Sequence, residues 1–131
     1  EEGVKFVGKN LKKMQNIKMA VIVQKMINAD YAGVIFTIDP ITKKDVLIEI
    51  VKGLGNKLVS GKITPNNYFV NRYNLKIKNK SELFDISIDI IKKLSKIALK
   101  IESLYNLPQD IEFCIKNNEI FILQSRPITT L

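Results

Sequence analysis

One stretch of this chain repeats its apolar residues with a helical period, and the sequence on either side of it alternates like strand. Within residues 86–105, Ile90, Leu94, Ile97, Ile101 and Leu104 recur every three or four positions, while Lys92, Lys93, Lys96 and Lys100 fall largely off that stripe. Such a helix must bury one face, and the flanking segments have to supply the surface that covers it. Asn106 stands where a left-handed cap is expected and Pro108 cannot continue the helix, so the helix should stop near Tyr105. Upstream, an apolar run at residues 19–27 is followed by the turn-prone Asn28-Ala29-Asp30 and a second run at 32–38, which Asp39-Pro40 ends. A third run at 46–51 leads into Gly53-Leu54-Gly55, and a weaker alternation at 67–72 follows Thr64-Pro65. The expected fold is α+β: a mainly antiparallel meander with one long amphipathic helix packed on it.

Composition narrows the chemistry. The 131 residues contain one cysteine and no histidine, so the chain cannot assemble a Ser/His/Asp triad, a Cys/His pair, an internal disulfide or a zinc site of the usual His/Cys kind. A reducing, cytoplasmic setting is expected. No apolar run is long enough to cross a bilayer, so no membrane partner is expected. The net charge of +8 invites a polyanionic partner, yet no block of five like charges occurs and the aromatics do not interleave with the basic residues; nucleic acid is not expected. Lysine is the default cation, which makes Arg72 and Arg126 informative, because a guanidinium is chosen for bidentate geometry. Residues 1–17 are weakly periodic and read as the tail of a preceding element, whereas 18–131 carries no linker or repeat and reads as one unit.

After the helix, residues 108–116 and 120–127 form a hairpin around Asn117-Asn118. A two-residue turn would set Phe113 against Ile122 and Ile111 against Gln124, mixing polar and apolar side chains on the buried face. A three-residue loop shifts the pairing by one, so that Ile111, Phe113, Ile115, Phe121 and Leu123 share an apolar face. This second register is the expected one. It places Glu112 across from Gln124 and Asp110 across from Arg126 on the opposite face. A carboxylate, an amide oxygen and a guanidinium in one neighbourhood suit a magnesium-bound polyphosphate. They also suit a solvated sheet face with an ordinary Asp110–Arg126 pair. Gly53-Leu54-Gly55 lacks the spacing of a phosphate loop or dinucleotide fingerprint and reads as tight turns, and Cys114 beside Glu112 reads as an inert thiol.

Six ordered segments carry a family resemblance: Met19-Ala-Val-Ile-Val-Gln-Lys-Met26; Gly33-Val-Ile-Phe-Thr37 with Asp39-Pro40; Gly53-Leu-Gly55; Val59-Ser-Gly61 with Thr64-Pro65; Pro108-Gln-Asp-Ile-Glu112; and Leu123-Gln-Ser-Arg-Pro-Ile-Thr129. Together they resemble the nucleotide-binding domain of phosphoenolpyruvate synthase, pyruvate phosphate dikinase and rifampin phosphotransferase, over about Lys18 to the last residue. The resemblance implies the C-terminal subdomain of an ATP-grasp fold, with ATP and Mg²⁺ as cofactors. It implies that Glu112 and Gln124 hold the metal, that Arg126 is catalytic on the phosphates, and that Gln24, Lys25, Met26 and Ile27 form the adenine hinge. The implied reaction passes phosphate from ATP to a histidine on another domain of the parent chain and releases AMP. It would require the N-terminal ATP-grasp half as well, so the segment alone is expected to be inactive. Where many relatives follow Gly-Leu-Gly with glutamate, this chain has Asn56. A noncatalytic nucleotide-binding or regulatory module is the alternative.

Overall fold

The computed structural model describes residues 23, 26–54, 61 and 63–131. Strands β1 (Tyr31–Phe36), β2 (Val46–Lys52), β3 (Asn66–Val70) and β4 (Ile77–Ser81) follow one another as antiparallel neighbours. Helix α1 (Ile88–Tyr105) then returns the chain to the other side of β1, where β5 (Gln109–Lys116) and β6 (Glu119–Pro127) complete one sheet in the order β4-β3-β2-β1-β5-β6. The expected antiparallel sheet with one packed helix is present, and β4 is an addition to it. Its sequence, Ile77-Lys78-Asn79-Lys80-Ser81, is exposed along almost its whole length and so carries no apolar alternation. An edge strand needs only one partner, and Lys78–Asp45 and Lys80–Glu82 ion pairs at 3.1 and 3.0 Å line it. Lysines there also discourage pairing with a further strand.

The two-residue period of the strands sorts side chains to opposite faces. On one face Ile35, Ile48, Ile50, Tyr68, Ile111 and Phe113 meet Ile91, Leu94 and Ala98 of α1, and all are essentially inaccessible. Gly33 lies opposite Phe113, and a Cβ added there would overlap the Glu49 carbonyl oxygen and come within 2.8 Å of the Phe113 ring. The missing side chain is what lets the aromatic ring lie over β1.

Two expectations are corrected. The helix begins at its Ser87 cap, whose hydroxyl accepts from the Asp89 N–H at 3.3 Å, and stops at Asn106 with φ 55° as anticipated, but its buried residues are Ile91, Leu94, Ser95 and Ala98. Leu104 is 73% exposed. The buried set shares only Leu94 with the anticipated stripe, so the side against the sheet is rotated toward Ile91, Ser95 and Ala98, and Leu104 at the last turn lies well off it. The three-residue hairpin loop is also not formed. Asn117 and Asn118 both adopt positive φ (50° and 61°) in a two-residue turn, the arrangement whose twist matches antiparallel strands.

The expected strand at 19–27 falls largely outside the described residues; its last two, Met26 and Ile27, are described and belong to no strand. Among the described residues no helix is long and apolar enough to cross a membrane.

Candidate functional site

The face of the sheet turned away from α1 is organised in cross-strand rows. The first row, Val51–Ala32–Cys114–Phe121, is apolar, and Ile27, Ala29 and Leu123 pack onto it. The second row is Asn67–Glu49–Val34–Glu112–Gln124, and the third is Phe69–Leu47–Phe36–Asp110–Arg126. Moving from Ala32 to Phe36 thus takes the surface from apolar to charged over roughly 13 Å, at about 3.3 Å per strand residue.

A β-bulge creates the charged end. Phe113 pairs with Ile122 as the two-residue turn requires, but Leu123 is left without a partner, and the pairing resumes as Glu112↔Gln124, Ile111↔Ser125 and Asp110↔Arg126. The pairs expected across the hairpin are therefore present, though a bulge at Leu123 produces them and not a longer loop. The face assignment changes accordingly. Phe121 and Leu123, expected beneath the helix with Phe113, lie instead on the open face against Cys114 and Ala32.

The electrostatics of the open face are unbalanced. Burial pushes the Glu49 carboxyl above its ordinary range, and the neighbouring negative charges of Asp110 and Asp39 push it further. Asp39 is itself buried in the β1–β2 loop. Burial would raise its carboxyl, but the Thr42 hydroxyl at 2.6 Å and the Ile41 and Thr42 N–H groups at 3.1 and 3.2 Å donate to it and hold it below the usual range. The Arg126 guanidinium donates to Asp110 Oδ2 at 3.1 Å while remaining 67% exposed, so it is available to a second anion. An open groove of about 310 Å³ lies between Phe36, Pro40, Asp110, Arg126 and the chain beyond Pro127.

Glu112, Gln124 and Arg126 are thus brought together, two in one row and the third in the next. Gln24 and Lys25 lie outside the described residues; Met26 is 84% exposed and Ile27 rests on the apolar row. Glu49 was not anticipated. Its signal was a carboxylate inside Val46-Leu-Ile-Glu-Ile-Val51, an otherwise apolar run. Cys114 is buried in the apolar row, which raises its thiol and leaves it unreactive, as read from the sequence. Of the two arginines, Arg72 is structural, forked onto Glu102 of α1 at 2.8 and 3.1 Å.

Among the described residues no three acidic or thiol groups converge closely enough to hold a metal by themselves. The carboxylates of Glu112 and Glu49 and the Gln124 amide oxygen are the hard oxygen donors that magnesium takes, usually one or two carboxylates together with substrate phosphates, while the Arg126 guanidinium suits the phosphates and not the metal. The raised Glu49 carboxyl is the observation that tests this fit: it marks a partly desolvated acidic surface that a cation would relieve.

Comparison with known proteins bears on the nucleotide and not on the metal. A family model described as "Pyruvate phosphate dikinase, AMP/ATP-binding domain" matches residues 6–82 and 74–131. A probable phosphoenolpyruvate synthase of Methanocaldococcus jannaschii is 36% identical over 143 aligned residues, covering 88% of this chain and 12% of that protein. A rifampicin phosphotransferase of Bacillus cereus is 33% identical over 88% of this chain and 16% of its own length, and the phosphoenolpyruvate synthase of Pyrococcus furiosus is 31% identical over 88% and 18%. The chain spans less than a fifth of the length of each of these relatives.

Proposed function

The chain belongs to the pyruvate phosphate dikinase AMP/ATP-binding domain family, and from that premise we propose that its open sheet face binds Mg·ATP as the C-terminal subdomain of an ATP-grasp fold. The observation that carries this reading is the pair of adjacent rows in which Glu112 faces Gln124 and Asp110 faces Arg126, with Glu49 one strand beyond Val34. The adenine would rest at the apolar end beside Met26 and Ile27, and the triphosphate would extend toward Arg126; Gln24 and Lys25, which the family resemblance adds to the hinge, lie outside the described residues. Glu112, Gln124 and Glu49 would hold Mg²⁺, which when bound offsets phosphate charge. Arg126 donates its planar fork to phosphate oxygens, where a lysine would present only a point charge. The protein's own contribution is positioning and charge neutralisation, with no proton transfer demanded of these residues.

The same reading makes the unit at residues 18–131 part of a cytoplasmic phosphotransferase of the phosphoenolpyruvate synthase type. An N-terminal ATP-grasp half would supply the other wall of the cleft. The phosphate would pass to a histidine on a further domain, with AMP released. Asn56, outside the described residues, leaves no acidic role at that position.

The experiment is Mg·ATP titration and AMP release in the complete gene product, run beside thermal melts. Arg126→Lys should lose at least about tenfold in rate, equivalent to about 1.4 kcal/mol of transition-state stabilisation, and Glu112→Gln at least as much. Each should shift stability by less than about 0.5 kcal/mol. Near-normal AMP release from both variants would remove these residues from the site. Saturable Mg·ATP binding without any AMP release would instead favour the noncatalytic module.

A further inference from the structure

The hairpin turn, taken alone, dictates the wrong face for the site residues. Asn117-Asn118 pairs Lys116 with Glu119, Ile115 with Ile120, Cys114 with Phe121 and Phe113 with Ile122. Continued without interruption, that register would set Gln124 against Ile111 and Arg126 against Gln109. Both would then lie on the helix side, with Ser125 on the open face. The unpaired Leu123 reverses all three positions. Something beyond the turn must select the reversed register.

Gln109 is in place to do so. It is 1% exposed on the helix side of β5, and each of its polar groups has a partner. Its N–H donates to Thr37 Oγ1 at 2.8 Å, its carbonyl accepts from the Thr37 N–H at 3.0 Å, and its amide nitrogen donates to the Leu107 carbonyl at 3.1 Å. The remaining amide oxygen accepts the Ser125 hydroxyl at 2.7 Å. In the uninterrupted register the Ser125 hydroxyl would leave the Gln109 amide oxygen for the other face, and the helix side would instead have to bury the Arg126 guanidinium against Gln109 and the Gln124 amide against Ile111, at the desolvation cost of both. Gln109 cannot swing away to avoid this. Thr37, which brackets it, has its own carbonyl bonded by the Arg72 guanidinium, and Arg72 is in turn forked onto Glu102 of α1. The exposed Asp110–Arg126 pair on the opposite face is the weaker selector, because one partner is 67% in solvent.

Building on the Mg·ATP reading of the open face, we propose that Gln109 is a positioning residue. Through Ser125 it holds β6 in the bulged register and so aims Gln124 and Arg126 at the ligand. It touches no ligand itself.

The test replaces Ser125 and Gln109 in the complete gene product and measures three quantities. Those are the Mg·ATP dissociation constant, amide hydrogen exchange across residues 119–127, and the melting midpoint. Ser125→Ala should weaken Mg·ATP at least about tenfold and speed exchange at 123–127 by a similar factor. Its melting midpoint should move by no more than about 4 °C. Ser125→Thr, which keeps the hydroxyl, should restore both affinity and exchange; a role in packing alone would not follow the hydroxyl. Gln109→Met should reproduce the Ser125→Ala pattern. Unchanged exchange and affinity in a folded Ser125→Ala protein would overturn the proposal, as would a folded Ser125→Thr protein that fails to recover. If the unmodified protein does not bind Mg·ATP, the functional reading fails on its own, and the exchange measurement still decides whether Ser125 holds the register.

Discussion

The two faces of the sheet are made from the same strands and differ in nearly every physical respect. Beneath α1 the rows are mainly aliphatic or aromatic, and the buried polar residues among them, Thr37, Asn66, Ser95 and Gln109, are hydrogen-bonded. On the face turned away from α1 the rows grade from Val51–Ala32–Cys114–Phe121 to the acidic and guanidinium groups, and among the described residues no cation pairs with the half-buried Glu49. One face has spent its free energy on folding; the other keeps groups whose interactions improve when something binds. Dense apolar packing and an unbalanced acidic surface can coexist on a single sheet because the strand period separates them by one residue.

The comparison predicts unequal responses to substitution. Phe113→Ala, on the helix face, empties the space over Gly33 and should cost about 3–5 kcal/mol, read by urea unfolding. A loss below about 1 kcal/mol would mean the two faces are not as different as drawn.

Glu49→Gln, on the open face, should act in the opposite direction. The Glu49 carboxyl is raised in the folded protein, so the folded state binds its proton more tightly than the unfolded chain. Its ionisation is therefore a penalty at neutral pH, and the penalty is relieved as pH falls toward a folded value above 4.5. The variant should be more stable than the unmodified protein at pH 7, lose that gain as pH falls through the carboxylate range, and bind Mg·ATP more weakly. Stability across that pH range, set against the unmodified protein, checks the sign. A destabilised variant at pH 7 would show that Glu49 is held by compensating contacts.

The smallest effect tests the rotated helix stripe. Leu104→Ala should change stability by less than about 0.5 kcal/mol, because the side chain is 73% exposed, whereas a member of the buried stripe would cost several times as much.

Much of this was legible in the residues. The helix end at Asn106 and the strands ended by Asp39-Pro40 and preceded by Thr64-Pro65 follow from local rules about caps, turns and period. β4 was not legible, since an exposed lysine-rich edge strand carries no hydrophobic pattern, and Glu49 was passed over because one carboxylate in an apolar run carries no marker of its neighbours. The hairpin is the instructive case. The apolar pattern and the Asn-Asn turn conflict in the sequence, and a longer loop would reconcile them; the chain instead keeps the preferred turn and resolves the conflict with a bulge.

By itself, then, the sequence determined the long helix, its C-terminal stop and the apolar strands β1, β2, β5 and β6, because those depend on steric and hydrophobic preferences within a few residues. Only the tertiary structure decided that β1 lies between β2 and β5, which sets Glu49 and Glu112 on either side of Val34. It also decided that the register shifts at Leu123. That choice rests on a buried amide oxygen meeting a hydroxyl sixteen residues away, and on Thr37 holding the same glutamine from a distance of 72 residues. Contacts of that range exist only once the sheet has assembled, and no local preference encodes them.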